Sequence, residues 1–201
     1  MRDMIDATFI ELLNMTWPTL FIAVVLVVTM RIGYLLKHRD EFVFYREILY
    51  LCFMLYILCV FQLVTAEDLN ATSGNNLRLF SELFRYRIGS RLFFRNIIGN
   101  VLMFIPYGFF ASLYIEIKEA LKALILVFVA SLSIEVTQLA IGRVFDVDDI
   151  LLNVVGGMIG YGIYYVFDKL SEKFPILKKE IFLNILTIII LFAVVSFITW
   201  R

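Results

Sequence analysis

The residues of this chain that could do chemistry are few, and they fall in three sets. Arg143-Val-Phe-Asp-Val-Asp-Asp-Ile-Leu-Leu-Asn-Val-Val-Gly-Gly157 gathers Arg143, Asp146, Asp148, Asp149 and Asn153 at the mouth of an apolar stretch. Arg95, Asn96 and Asn100 open a second stretch, and Glu135 and Gln138 lie near the end of a third. Such groups accept hydrogen bonds or protons, and the arginine fork pairs with carboxylate or phosphate. No histidine, serine or cysteine constellation for nucleophilic attack accompanies them. His38 has no cysteine or histidine neighbours, which argues against zinc. Cys52 and Cys59 share one apolar segment and are read as buried thiols, because one helix cannot bridge that separation. The aspartates could form an oxygen-rich site for Mg²⁺ or Ca²⁺, but their spacing matches no EF-hand. No metal and no cofactor is assigned.

The elements that must position these sets follow from composition. Hydrophobic residues make up 62% of the 201 residues and charged ones only 18%, with long runs free of charge. That pattern predicts an all-α, polytopic transmembrane helical bundle and leaves no room for a soluble domain. Six spans are expected, near 17–36, 48–64, 96–115, 120–141, 150–167 and 181–200, as one integral membrane domain over 1–201. Met1 to Met15 has the wrong charge for a signal peptide and reads as a short interfacial helix with Ile5, Phe9 and Leu12 on one stripe. Leu77, Phe80 and Phe84 form a similar stripe, with Arg78, Glu82 and Arg85 facing outward. Pro106 frees the carbonyl of Leu102, so a kink is expected there. The net charge of zero gives no reason to expect a nucleic-acid partner.

Helical spacing aligns Asn96, Asn100, Met103 and Tyr107 on one face, Ser131, Glu135, Gln138 and Gly142 on another, and Asp149, Asn153, Gly156 and Gly160 on a third. An ionised Glu135, about 10 Å below its span's end, costs on the order of 3 kcal/mol unless paired, wetted or protonated. Arg95 or Arg143 could pair with it and pin the bundle; alternatively the same groups handle a headgroup or a proton. Asp148 or Asp149 can cap the fifth span's free amides. Gly99, Gly156, Gly157 and Gly160 are read as close-packing positions that bring the polar stripes within reach of one another. Arg87, Arg91 and Arg95 recur every four residues, as a basic interfacial segment or a phosphate clamp.

Nine lysines and arginines fall on one side of the predicted spans and eight on the other, but every lysine is on the first side. Assigning that side to the cytoplasm puts both termini, the arginine loop and the aspartate turn outside.

Arg95-Asn-Ile-Ile-Gly-Asn-Val-Leu-Met-Phe-Ile-Pro-Tyr-Gly108, Ser133-Ile-Glu-Val-Thr-Gln138 and the Arg143–Gly157 block together resemble the VanZ-like family of membrane proteins, named for a low-level teicoplanin-resistance factor. Asn76-Leu-Arg-Leu-Phe80 is a further echo, lacking the proline that members more often carry. The VanZ-like core would run over about 76–168, with the C-terminal span outside it. The resemblance implies a bacterial cytoplasmic membrane location and a link to glycopeptide resistance or the envelope, but no agreed reaction.

Three functions compete. The first is a non-catalytic envelope protein whose outward polar pocket engages membrane lipid, a lipid-linked envelope precursor or a lipoglycopeptide. The second is a membrane enzyme on a phosphorylated lipid, with Glu135 or Asp149 as base and Arg95 and Arg143 on the phosphate. The third is a small lipid or solute transporter, against which no inverted repeat is visible.

Overall fold

A computed structural model describes residues 2–38, 42–65, 76, 78–80, 85–87 and 89–199. Five helices among them are long and apolar enough to cross a membrane. Charge-free runs satisfy their backbone polar groups internally only as helices, which is what a bilayer demands.

The helices are α1 (Arg2–His38), α2 (Phe44–Thr65), α3 (Gly99–Ile115), α4 (Ala120–Ala140), α5 (Val147–Lys173) and α6 (Glu180–Thr199). A π-helical turn, Phe93–Ile98, leads into α3, and a 3₁₀ turn, Pro175–Lys178, leads into α6. No strand occurs among the described residues. The expected short N-terminal helix is instead continuous with the first span, because Pro18 forfeits a backbone bond without ending α1. The side chains of Ile5, Phe9 and Leu12 lie outside the described residues, as do Leu77, Glu82 and Phe84 of the second stripe. Likewise α3 runs unbroken through Pro106, and its irregular turn lies upstream of that proline. The expected sixth span, α6, is a 20-residue helix. Its described apolar stretch, Glu180–Ala193, is shorter than the other five spans.

The chain divides into two compact units, residues 1–62 with 173–201, and residues 63–172. In the first, Arg31 makes a two-pronged pair with Glu47, both bonds 2.9 Å. Asn184 Oδ1 accepts the Tyr45 backbone N–H at 2.9 Å, so α6 caps the start of α2.

The second unit carries all three polar sets. There α5 approaches α3 so closely that only glycine fits. A Cβ on Gly108 would fall on the Gly157 carbonyl, one on Gly156 on the Val101 carbonyl, and one on Gly160 on the Ile105 carbonyl. A Cβ on Gly157 would strike Val127 of α4. Around Gly99 the nearest such neighbour is the Phe94 carbonyl at 3.6 Å, an ordinary contact. Close backbone approach is how helices associate where lipid gives no hydrophobic drive. Phe104, Val127 and Ala123 are each 1% exposed in this core. At the far end Tyr161 and Tyr164 pack with Ile117 and Ala123, and the Tyr161 hydroxyl donates to the Lys118 carbonyl at 3.1 Å.

A candidate polar site at the α5 N-terminus

The site begins with a turn. Gly142, at φ +86°, ends α4 in the left-handed conformation. Its N–H reaches the Leu139 carbonyl at 3.1 Å, and the Arg143 N–H reaches the Gln138 carbonyl at 2.9 Å. These paired bonds make a Schellman close, which turns the chain back over the helix it has just left. Arg143 thereby returns to the level of Gln138 and Glu135.

Glu135 is 2% exposed, and its Oε2 accepts the Asp146 backbone N–H at 3.1 Å. Oriented so that both ends meet complementary groups, the Gln138 amide donates to Glu135 Oε1 at 3.0 Å and accepts from Arg143 Nη1 at 3.2 Å. Arg143 Nη1 also donates to the Val64 carbonyl at 2.9 Å. One arginine thus caps an orphan carbonyl near the end of α2 and, through an amide, faces a buried carboxylate. Arg95 stands exposed on its turn; the positive charge acting on Glu135 is that of Arg143.

The three aspartates take different duties. Asp146 Oδ1 accepts from Asn76 Nδ2 at 2.9 Å and from the Asp148 N–H at 2.8 Å. Asp148 is fully buried and accepts the backbone N–H of Phe80. Asp149 accepts from the Asn100 amide. Asp148 and Asp149 lie in the first turn of α5, where the helix dipole favours negative charge. Among the described residues no group of three or more Asp, Glu, His or Cys is placed to hold a metal.

Asn76 and residues 78–80 close over this end. The Asn76 N–H donates to the Phe145 carbonyl at 2.9 Å and the Val147 N–H to the Asn76 carbonyl at 3.2 Å, an isolated parallel bridge of Asn76 to Asp146. The sequence carried Asn76 only as part of a resemblance, and Phe80 as part of that resemblance and of an apolar stripe. Their contacts with Asp146 and Asp148 are between residues about seventy apart, with no periodicity to betray them.

Asn96 and Asn100, expected on one stripe, go to different partners. Asn96 Nδ2 donates to the Tyr86 hydroxyl at 2.8 Å, whereas Asn100 meets Asp149. The π turn at Phe93–Ile98 widens the helix before α3 and shifts the face of Asn96 relative to that of Asn100.

One turn deeper than Asp149, Asn153 is 1% exposed and donates its amide to Ser131 Oγ at 3.0 Å. Its Oδ1 is buried with no hydrogen-bond partner among the described residues. Ser131→Ala, which strands the amide as well, is expected to lower stability by about 1–3 kcal/mol. Ser131→Ala with Asn153→Leu removes the whole polar pair and should return within about 1 kcal/mol of wild type. Thermal unfolding of the purified variants reads this. A double variant no better than the single would mean that the Asn153 carbonyl is engaged in the membrane.

These features define a class: a polytopic helical membrane protein with a buried carboxylate–amide–arginine network at one end of three tightly packed helices. The chain belongs to the VanZ/LLP1 family, which it matches over residues 44–168. A relative, Protein VanZ of Enterococcus faecium, is 33% identical over 100 residues, which are 49% of this chain and 62% of that protein. The match therefore spans less than two thirds of that relative's length. No solved structure matches the chain.

Proposed function

We propose that this protein works in the bacterial cytoplasmic membrane as a non-catalytic envelope protein. Its α5 N-terminal pole faces outward, engages a lipid-linked headgroup, and raises tolerance to lipoglycopeptides of the teicoplanin type. The observation that carries this reading is the Glu135–Gln138–Arg143 chain, a buried charge held at the end of the bundle where a headgroup would arrive. Ionisable groups inside a membrane lean toward function because their burial costs so much. Beside it, the Asn100–Asp149 pair is only half-buried and open to a polar ligand. Family membership supports the envelope setting, and the confinement of all lysines to the opposite side supports the orientation.

A binding role fits better than a catalytic one. Glu135 at 2% exposure and Asp148 at 0% cannot meet a substrate unless the turn over them moves. Expression in a susceptible Gram-positive host, scored for teicoplanin and vancomycin inhibition, tests the reading. Wild type is expected to raise the teicoplanin threshold, and Asn100→Ala, at matched membrane abundance, to raise it less. An unchanged teicoplanin threshold with verified expression removes the resistance role. A cysteine reporter at Gly142, labelled only from the cytoplasmic side, would reverse the orientation.

A further inference from the structure

We propose that the arginines preceding α3 form a docking surface for the phosphate groups of anionic phospholipids. This surface is separate from the buried network and goes beyond the function proposed above. Arg85, Arg87, Arg91 and Arg95 are all exposed, and the sequence from 85 to 95 holds no acidic residue. Arg87 and Arg91 enter no ion pair among the described residues. The lysines offer a contrast, since Lys122 pairs with Glu119 at 2.6 Å and Lys169 with Glu172 at 3.0 Å.

The backbone that carries the arginines is fastened at several points. The Ser90 N–H reaches the Arg87 carbonyl at 2.9 Å, and its side-chain Oγ accepts the Phe93 N–H at 3.2 Å. Gly89, at φ +84°, makes the turn between Arg87 and Arg91. The Tyr86 hydroxyl holds Asn96 at 2.8 Å, and the Arg85 guanidinium lies 6.0 Å from the Tyr86 ring centre. The bases of these side chains are therefore fixed while their forks reach outward.

The surroundings specify a bilayer rather than a soluble partner. Leu92 is 51% exposed next to Arg91, and Leu79 and Phe80 are 57% and 50% exposed. Apolar side chains beside guanidinium groups suit the boundary where acyl chains meet headgroups. An exposed apolar side chain follows in α3, where Leu102 is 58% exposed. A guanidinium fork binds a phosphate through two parallel bonds, which an ammonium cannot do. Anionic lipid phosphates supply both the charge and the membrane depth that this arrangement matches.

The test uses full-length protein in nanodiscs of phosphatidylcholine alone or mixed with phosphatidylglycerol, read by thermal midpoint and by native mass spectrometry of retained lipid. Phosphatidylglycerol is expected to raise the wild-type midpoint and to remain bound. Arg87→Gln/Arg91→Gln should lose most of both effects, and Arg87→Lys/Arg91→Lys should fall between. Lys122→Gln, on the opposite side, should keep the full response. A glutamine variant that responds to phosphatidylglycerol as wild type does would overturn the proposal. So would equal protection by soluble pyrophosphate in phosphatidylcholine discs, which would show phosphate recognition independent of the bilayer. If the glutamine variant gives no folded protein, the lysine variant decides alone, and an undiminished response there counts against the fork. These readouts do not involve glycopeptides, so their failure is distinct from failure of the resistance role.

Discussion

Gly108→Ala is expected to destroy most of the folded protein, with Gly156→Ala and Gly160→Ala close behind. In each case the added methyl would overlap a backbone carbonyl of the neighbouring helix, at Gly157, Val101 and Ile105 respectively. Side-chain overpacking usually costs about 1–3 kcal/mol because flexible neighbours yield. Here the obstacle is backbone, so α3 and α5 must separate along their whole contact. The loss should reach on the order of 3 kcal/mol or more, the top of that range. Gly157→Ala meets the Val127 side chain instead and should cost less if that valine can turn. Two controls give the comparison its force. Gly162 has nothing within 4 Å and Gly99 only the Phe94 carbonyl at 3.6 Å. Both are helical, so alanine there should be neutral or stabilise by up to about 1 kcal/mol. Thermal unfolding and monodispersity of the six variants in one detergent read the series. Gly108→Ala unfolding with Gly99→Ala at the wild-type midpoint would refute the packing of α3 on α5.

The class of fold was legible because charge is scarce and clustered, and because an apolar run of this length in lipid satisfies its own backbone only as a helix. Glu135 and Gln138 were legible as a pair, since three-residue spacing puts them on one face; Gly142, read as a further member of that face, instead ends the helix and returns Arg143 to them. What was not legible required a partner from far along the chain. Nothing in Asn76 or Phe80 announces a contact with Asp146 or Asp148, because the bridge between these segments is isolated and belongs to no alternating strand. The π turn was also hidden. Ideal spacing put Asn96 with Asn100, and one widened turn sent it to Tyr86 instead. Gly108 carried no packing reading, whereas its role comes from Gly157 on another helix. Small residues at helical spacing show that something packs closely, but not against what.

The buried network yields the other large effect, and it is an effect of imbalance. Arg143→Met should destabilise the protein by about 1–3 kcal/mol, the cost of leaving buried polar groups without their donor. Glu135 would keep its burial and its bond from the Asp146 N–H. It would also keep the Asp146 carboxylate as a like-charged neighbour, with the balancing guanidinium gone. The Val64 carbonyl would lose its donor at the same time. Glu135→Gln alone should be milder, because the amide oxygen can still accept the Asp146 N–H while the charge disappears. The decisive species is the double variant. With Glu135→Gln already in place, Arg143→Met no longer strands a carboxylate, and only the Val64 and Gln138 contacts are lost. The two changes should therefore fall short of additivity by about 0.5–3 kcal/mol, the range for residues sharing a network. Arg143→Lys adds a geometric check. One nitrogen, Nη1, makes both contacts in the wild type, and an ammonium on the shorter lysine side chain must reach that same point, so it should recover only part of the loss. Equilibrium unfolding of the four species in one detergent measures the coupling. Strict additivity would mean that Gln138 does not transmit the arginine's charge to Glu135, and that the carboxylate is stabilised by the Asp146 N–H alone.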